Sequence, residues 1–335
     1  MEFTFFIGTD VSKNQLDFAV RDEKQLIFHK EIENKVKPIN AFLKELLKLP
    51  GFDLNRAVFC MEHTGIYSNH LLMCLHKMKA NICLEAAVHI KKSLGNIRGK
   101  NDKIDAIRIA NYAFKSRQEL HLWTPRREVV TTLAQLAATR SRLIEVRKVL
   151  TTANNGYNGF ITKRVAAENS KLCSKTLQAI DADLVRTEQA IDSLIDQDPE
   201  LKRLFRLVTS VSGVGKVSAT QIIITTNEFK DIKEPKKFAC YSGVAPFTKE
   251  SGIFKGKPRV SHMANKKVKT LLHLSALVAI QYNLELKAYY ERKVCLEKKN
   301  KMSVINAIRN KIILRIFACV KNNKEYEKNY VRLLA

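Results

Sequence analysis

The chain has 335 residues, 45% of them hydrophobic and 27% charged, which is typical of a globular protein with about two domains. Lysine and arginine outnumber aspartate and glutamate by 58 to 33, giving a net charge of +25 that favours polyanionic partners such as nucleic acid. The seven cysteines are scattered without a CxxC pair, which disfavours a zinc ribbon and a disulfide framework. No apolar run reaches the roughly 18 residues of a membrane helix, which disfavours a membrane protein. We expect a soluble intracellular protein with reduced, mostly buried thiols and no signal peptide.

Residues 1–122 are predicted to form an α/β domain. Hydrophobic periodicity predicts three strands, a helix, a strand, a helix, a strand and a final helix, which is the element order of a ribonuclease-H-like or RuvC-like sheet. The predicted strands are Thr4–Thr9, Leu16–Arg21, Leu26–Ile32, Ala57–Met61 and Ile82–Leu84, and the helices begin near Pro38, Ile66 and Asp102.

Residues 123–206 are predicted to form long helices. Apolar positions recur at helical spacing over residues 126–153 and 175–206, with a turn at residues 154–159 between them. Long amphipathic helices without a β partner bury their apolar stripes on each other or on a second chain. A helical hairpin or a coiled-coil dimerisation arm is therefore predicted.

Residues 207–335 are predicted to form a third, mainly α-helical domain. It opens with Gly213-Val214-Gly215, where the glycines serve either as a simple helix entry or as a contact to a phosphate, and the spacing leaves both possibilities open. A basic stretch over residues 255–269 precedes an apolar helix over residues 271–280. Lysine runs of this kind are most often solvated faces.

Four acidic residues have the placement that a metal-dependent nuclease requires. Asp10 and Glu62 each end an apolar run, and Asp102 and Asp105 lie three residues apart on one face at the start of a predicted helix. Carboxylate oxygens are the ligands that Mg²⁺ prefers, and two such ions can stabilise both oxygens of a phosphoryl transfer. In so basic a chain these acids indicate phosphodiester chemistry. A structural interpretation stays open, with Asp10 and Glu62 as strand-end acids and the aspartate pair complementing a helix dipole.

Three serines lie beside glycines in the second half of the chain, namely Ser212, Ser242 and Ser251. A serine hydroxyl is a weak nucleophile until a base or a metal helps to remove its proton. By itself each of the three is a turn residue, and the pattern does not choose among them.

The ordered set of motifs resembles the DEDD insertion-sequence transposases of the IS110 family, which are related to Piv-type DNA invertases. The three acidic motifs are Gly8–Lys13, Glu62–Tyr67 and Asp102–Ala106, and the C-terminal stretches are Gly213–Gly215, Tyr241–Pro246 and Ser251-Gly252. Two positions depart from the family pattern, because Glu250 stands where glutamine is common and Asn101 where a small residue is common.

The resemblance implies a RuvC-like N-terminal domain, a coiled-coil middle and a C-terminal transposase domain. It implies that Asp10, Glu62, Asp102 and Asp105 hold Mg²⁺ and that Ser251 attacks a DNA phosphate to form a phosphoserine intermediate. It further implies donor and target DNA as substrates, a structured bridge RNA as guide, a homodimer that assembles to a tetramer, and a bacterial, nucleoid-associated location.

Other functions remain open from the residues alone. A RuvC-like structure-specific endonuclease would use the same carboxylates to hydrolyse DNA without a covalent intermediate. A nucleic-acid-binding protein without catalysis would use them structurally. An actin-like ATPase is a distant alternative, because Gly8-Thr9-Asp10 lacks accompanying phosphate loops.

Overall fold

The computed structural model describes residues 2–93, 101–155, 162–251, 254–261 and 264–327. It divides into two compact units, Met1–Pro125 and Arg126–Ala335. The predicted turn at residues 154–159 and the glycine after Ser251 fall wholly or largely outside the described residues. Within the described residues, none of the helices has the length and apolarity to cross a membrane.

The first unit is built on a five-stranded mixed sheet. Its strands are β1 (Phe5–Val11), β2 (Gln15–Arg21), β3 (Leu26–Glu33), β4 (Ala57–Glu62) and β5 (Asn81–Glu85). The order across the sheet is β3-β2-β1-β4-β5, with the first three strands antiparallel and β1, β4 and β5 parallel. This order is that of a ribonuclease-H-like sheet, so the strand and topology predictions are confirmed.

Helices cover both faces of this sheet. Alternate residues of the strands point to opposite faces, and two apolar clusters form accordingly. The helices α1 (Val36–Leu46) and α2 (Asn69–Lys77) pack on one face and α4 (Asp102–Lys115) on the other, while α3 is the short segment Ala87–Ser93. Every second side chain of β1 therefore points toward the face of the sheet that α4 covers.

The second unit is mostly helical. Two long helices, α5 (Glu128–Asn155) and α6 (Lys163–Gln197), run antiparallel, with Arg140–Glu188 at 2.8 Å and Arg147–Asp181 at 2.7 Å as cross-helix ion pairs. The remaining elements are α7 (Pro199–Thr209), α8 (Lys216–Thr226), α9 (Pro235–Tyr241), the hairpin of β6 (Pro246–Ser251) and β7 (Phe254–Val260), α10 (Lys266–Tyr282), α11 (Leu284–Glu291), a π-helical turn (Arg292–Leu296) and α12 (Lys301–Asn322).

The structure corrects the predicted helix over residues 175–206. The helix begins earlier, at Lys163, and ends at Gln197, and a new helix starts at Pro199. Proline lacks the backbone N–H that would continue the first helix. The Asp198 carboxylate accepts a hydrogen bond from the Leu201 N–H at 2.8 Å and so caps the second helix.

All seven cysteines are free thiols. Cys60, Cys74, Cys83 and Cys319 are buried, which agrees with the expectation that most of the thiols are buried.

Candidate active site

Asp10 and Glu62 lie side by side at the carboxyl end of the parallel pair β1–β4. Thr9 is in register with Met61, so the two acids are the next residues along neighbouring strands. Parallel strands end at the same edge of a sheet, and both side chains are half-buried there. The sequence prediction that places these two acids together is consistent with this register.

Small residues bring the helix α4 to the same edge. A Cβ on Gly8 would overlap the Ala106 carbonyl oxygen and the Ala110 amide, and would lie 2.8 Å from the Ala110 Cα. Ala19 on β2 packs with Ala106 and Ala110 in the same contact. Only a strand without a side chain at position 8 allows the helix backbone so close, and this approach carries the first turn of α4 toward Asp10.

Asn101 caps that first turn. Its side chain accepts a hydrogen bond from the Lys103 N–H at 3.0 Å, and its carbonyl accepts from the Asp105 N–H at 2.9 Å. Asparagine is among the preferred N-cap residues. The departure from the family pattern at this position therefore supports the helix that presents Asp102 and Asp105.

Two further acids extend the predicted pair into a row across four strands. Asp17 on β2 is opposite Asp10, and Glu85 on β5 is opposite Glu62. Residues opposite one another share a face, so Asp17, Asp10, Glu62 and Glu85 lie in sequence across the face that α4 covers. Sequence reasoning missed Asp17 and Glu85, although each lies at the end of a predicted strand.

The outer acids of the row are held by neighbouring side chains. Asp17 is 6% exposed and lies 2.8 Å from His29 Nε2. Glu85 accepts a hydrogen bond from the Tyr112 hydroxyl at 2.9 Å and lies 2.8 Å from His89 Nδ1. Burial and this hydrogen bond raise the pKa of Tyr112, so its hydroxyl stays protonated and donates.

The inner acids lack such partners. Among the residues that the structure describes, no hydrogen bond or ion pair engages the side chains of Asp10, Glu62 or Asp102. The fourth predicted acid, Asp105, is paired with Arg108 on the same helix at 2.8 Å. Three of the four predicted carboxylates are thus available to an external ligand.

The predicted acids act on one another electrostatically. Burial, followed by the charges of Asp102, Asp105, Glu62 and Asp17, raises the pKa of Asp10 from 3.8 to about 6. Like charges disfavour the ionised form of a carboxyl group. A cation at this edge of the sheet would relieve that repulsion.

The donor set fits a hard divalent cation in its chemistry. All the donors are carboxylates, and three of them have no partner within the described part of the chain. A bound cation would relieve the repulsion between them. Over the described ranges, however, no three His, Cys, Asp or Glu side chains lie close enough together to hold an ion. Asp105 would also have to leave its ion pair with Arg108 before it could bind a metal ion.

Ser251 belongs to the other unit. It is exposed at the end of β6 and is in register with Phe254 at the start of β7. The other two serines of the sequence analysis are engaged: Ser242 is fully buried and donates to the Ala239 carbonyl at 3.3 Å, and Ser212 accepts from Asn283 at 3.1 Å. Of the three, Ser251 is the serine open to a substrate.

Two family models match the chain. A transposase model for the DEDD proteins of IS110 matches residues 7–155, and the model described as transposase IS116/IS110/IS902 family matches residues 205–291. The first includes all four predicted acids and the second includes Ser251.

Several known proteins are similar to this chain. The pilin gene-inverting proteins of Moraxella bovis and Moraxella lacunata are each 25% identical over 335 residues, covering 96% of this chain and 98% of the relative. The uncharacterized 43.6 kDa protein of insertion element IS110 from Streptomyces coelicolor is 25% identical over 154 residues, covering 46% of this chain and 37% of that protein.

Among solved structures, Thermus thermophilus RuvC in complex with a Holliday junction substrate matches with a TM-score of 0.30 and 13% identity, covering 36% of this chain and 99% of that chain. The ribonuclease-H-like assignment of the first unit rests on its own strand order.

The family models and these relatives identify an enzyme of the transposase and DNA recombinase class. Within that class, the chain belongs to the IS110 family of insertion-sequence transposases.

Proposed function

We propose that the protein is a Mg²⁺-dependent, serine-type DNA recombinase of a mobile insertion element, guided by a bridge RNA. The observation that carries the proposal is the group of carboxylates around Asp10, where burial and then the charges of Asp102, Asp105 and Glu62 raise the pKa of Asp10 to about 6. The exposed hydroxyl of Ser251 supplies the nucleophile.

Each group has a defined part in the proposed reaction. The Ser251 oxygen forms a bond to a DNA phosphorus, the bond from that phosphorus to a sugar oxygen breaks, and the hydroxyl proton of the serine ends on the freed sugar oxygen. Phosphodiester energy is conserved in the serine ester, so the strand can be resealed without ATP. Asp10, Glu62, Asp102 and Asp105 would hold Mg²⁺, which stabilises negative charge on the phosphate and lowers the pKa of the attacking hydroxyl.

The carboxylates and Ser251 lie in different units, so they must meet on the bound DNA, within one chain or between chains. We propose a homodimer that assembles to a tetramer on donor and target DNA. The long helices are the proposed assembly surface, because they expose several large apolar side chains, namely Val146, Val149, Val165, Leu172 and Val185. Burying such side chains against a second chain would be favourable.

The decisive test is a covalent adduct between the full-length protein and DNA that carries the ends of its element. Wild type with Mg²⁺ is expected to form an adduct that survives denaturing gel electrophoresis, and Ser251→Ala is expected to abolish it without loss of DNA binding. Thr248→Ala is the matched control, because Thr248 is an exposed hydroxyl on the same strand. An adduct of equal yield in Ser251→Ala would refute the serine assignment.

The same assay separates the competing function. A hydrolytic endonuclease needs only the first unit, where all the carboxylates lie, and it would release free 5′-phosphate ends without an adduct. Guidance by RNA is tested separately. The protein purified from its host should carry a structured RNA, and nuclease digestion of that RNA should abolish target selection.

A further inference from the structure

A cavity of about 170 Å³ opens between α5, α6, α8 and α10 of the second unit. Its walls are partly apolar, from Ala137, Ile191 and Val217, and partly polar, from Ser141, Thr220 and Gln221. A cavity of about 150 Å³ suffices for benzene. The space therefore admits one aromatic ring of pyrimidine size, with hydroxyl and amide groups that can bond to the edge of a base.

Two helix N-termini reach this cavity. Lys216 is the first residue of α8 and Lys267 is the second residue of α10, and both line the cavity. Neither helix carries an acidic residue in its first turn, and α8 has no side-chain cap. The free N–H groups and the positive end of the helix dipole attract an anion.

The fold requires glycine at one of the two glycine positions before α8 but not at the other. Gly213 has a φ of +89°, and a Cβ there would overlap the Ser275 carbonyl, so the fold itself requires glycine. Gly215 has a φ of −88°, and a Cβ there would meet nothing within 4 Å. Neither conformation nor packing requires glycine at position 215, where it is the N-cap of α8, and the missing side chain leaves the backbone open to close approach by a ligand.

A hydroxyl on the cavity wall adds a polar contact. Thr220 is 5% exposed and lines the cavity, and no hydrogen bond engages its hydroxyl within the described part of the chain. Its oxygen is not one of the fully buried, unpaired polar atoms of the described residues, so it is open to the cavity. Its position on the cavity wall provides a site for a polar atom of a bound molecule.

Among the described residues that line the cavity, one cation is left for a phosphate. Arg140 is paired with Glu188 at 2.8 Å, and Lys216 is paired with Asp192 at 2.7 Å. Lys267 instead donates to the neutral hydroxyl of Ser141 at 3.2 Å and has no acidic partner among the described residues.

We propose that this cavity binds one unpaired nucleotide of a nucleic-acid strand. The base enters the cavity and bonds to Thr220, and its phosphate lies on Lys267 and the first turn of α8. The proposal rests on the proposed function only in taking nucleic acid as the partner. It does not depend on the serine chemistry or on the metal.

The test measures the affinity of the full-length protein for short oligo(dT), oligo(U) and an abasic deoxyribose-phosphate oligomer over a range of salt. Lys267→Gln is expected to weaken binding of all three and to reduce the slope of log affinity against log salt by about 0.7, the value for one contact to a single strand. Lys266→Gln is the matched control, because Lys266 is exposed on the same helix turn and does not line the cavity. An equal effect of both substitutions would overturn the proposal, since it would show only a non-specific electrostatic attraction between the oligomers and the basic protein.

Two further variants test the base. Ala137→Leu fills the cavity and is expected to lower affinity for the base-containing oligomers roughly fivefold or more, with no effect on the abasic oligomer. Thr220→Val removes the partner-free hydroxyl, so it should not lower the melting temperature, yet it should weaken the same two oligomers by about fivefold. Unchanged binding in Thr220→Val and Lys267→Gln would contradict the proposal even if Ala137→Leu misfolds.

The comparison of oligo(dT) with oligo(U) shows whether the site prefers DNA or RNA. Base-dependent binding without any covalent adduct would support the nucleotide site while refuting the proposed serine chemistry, so the two proposals fail separately.

Discussion

Asp17 lies directly opposite Asp10 across the antiparallel pair β1–β2, and its charge is one of the causes that raise the pKa of Asp10 to about 6. Asp17 is itself nearly buried against His29. The edge of the sheet therefore concentrates negative charge where it is partly buried. The repulsion between these charges lowers the stability of the fold, and a bound cation would relieve it.

The first prediction concerns the pH dependence of stability. The pKa of Asp10 is raised in the folded state, so in metal-free protein this group destabilises the fold increasingly as the pH rises from about 4 to about 6, and by a constant amount above. Asp10→Asn should raise the free energy of unfolding by about 2 to 3 kcal/mol at pH 7, the equivalent of the shift from 3.8 to about 6, and by little at pH 4. Urea unfolding with a chelator present at the two pH values measures this.

Asp22→Asn is the matched control for that experiment. Backbone N–H groups of Gln25 and Lys24 lower the pKa of Asp22, so its charged form stabilises the folded state. The substitution should therefore lower stability at neutral pH, the opposite sign to Asp10→Asn. A destabilised Asp10→Asn at pH 7 would contradict the electrostatic account of the site.

The second prediction concerns metal binding. At the proposed site, Mg²⁺ would relieve the repulsion between the carboxylates, so it should raise the melting temperature of wild type in a concentration-dependent way. Asp10→Asn and Glu62→Gln should abolish that rise. Glu45→Gln is the control, because Glu45 is an exposed acid paired with Lys30 away from the site. An equal rise in wild type and in both site variants would show that the cation binds elsewhere.

The third prediction concerns the contact between β1 and α4. Gly8→Ala should lower the free energy of unfolding by about 3 kcal/mol, because the new Cβ overlaps the backbone at Ala106 and Ala110 and must push the helix away. Displacing α4 also displaces Asp102 and Asp105, so adduct formation should fall. Gly215→Ala should cost less, about 1 kcal/mol or below, because its Cβ meets nothing within 4 Å and the remaining penalty is that alanine is a poorer N-cap of α8 than glycine. Chemical denaturation of both variants gives the comparison.

The fourth prediction concerns a buried ion network in the second unit. Arg127 donates two hydrogen bonds to Asp198 at 2.8 Å and further bonds to the fully buried side chain of Glu228. Arg127→Ala leaves Glu228 with Lys230 alone and should cost about 3 kcal/mol of stability. Arg126→Ala, at the neighbouring exposed position, should cost little.

The same network has a pH signature. Hydrogen bonds from Arg127 lower the pKa of Asp198. Burial raises the pKa of Glu228, but the hydrogen bonds and charges of Arg127 and Lys230 together outweigh it and lower that pKa. Their contribution is present at neutral pH and is lost as the pH falls through the lowered values, below about 4. The gap in stability between wild type and Arg127→Ala should therefore narrow in acid, and a gap that is constant down to pH 2 would contradict the network's role.

Much of the first unit was predictable because its signals are local. Runs such as Ala57–Met61 show the apolar pattern of buried strands, and Asp10 and Glu62 stand out because they follow such runs directly. Asp198-Pro199 is also a recognisable helix stop signal in the sequence. The apolar residues continue at helical spacing across it, however, and this periodicity led to the prediction of a single helix. The β-hairpin that presents Ser251 was missed, because its sequence is basic and polar and lacks the alternation of a half-buried strand.

The sequence by itself determined the order of strands and helices along the chain, the family, and the acids near the ends of β1 and β4, since these depend on periodicity and on motifs read along the chain. Only the tertiary structure decided which other residues join them. Asp17 and Glu85 enter the row through inter-strand register, Gly8 matters through a helix about a hundred residues further along the chain, and the cavity beside Thr220 forms where four helices meet. Register and helix packing arise from contacts between distant segments, and those contacts leave no local pattern in the sequence.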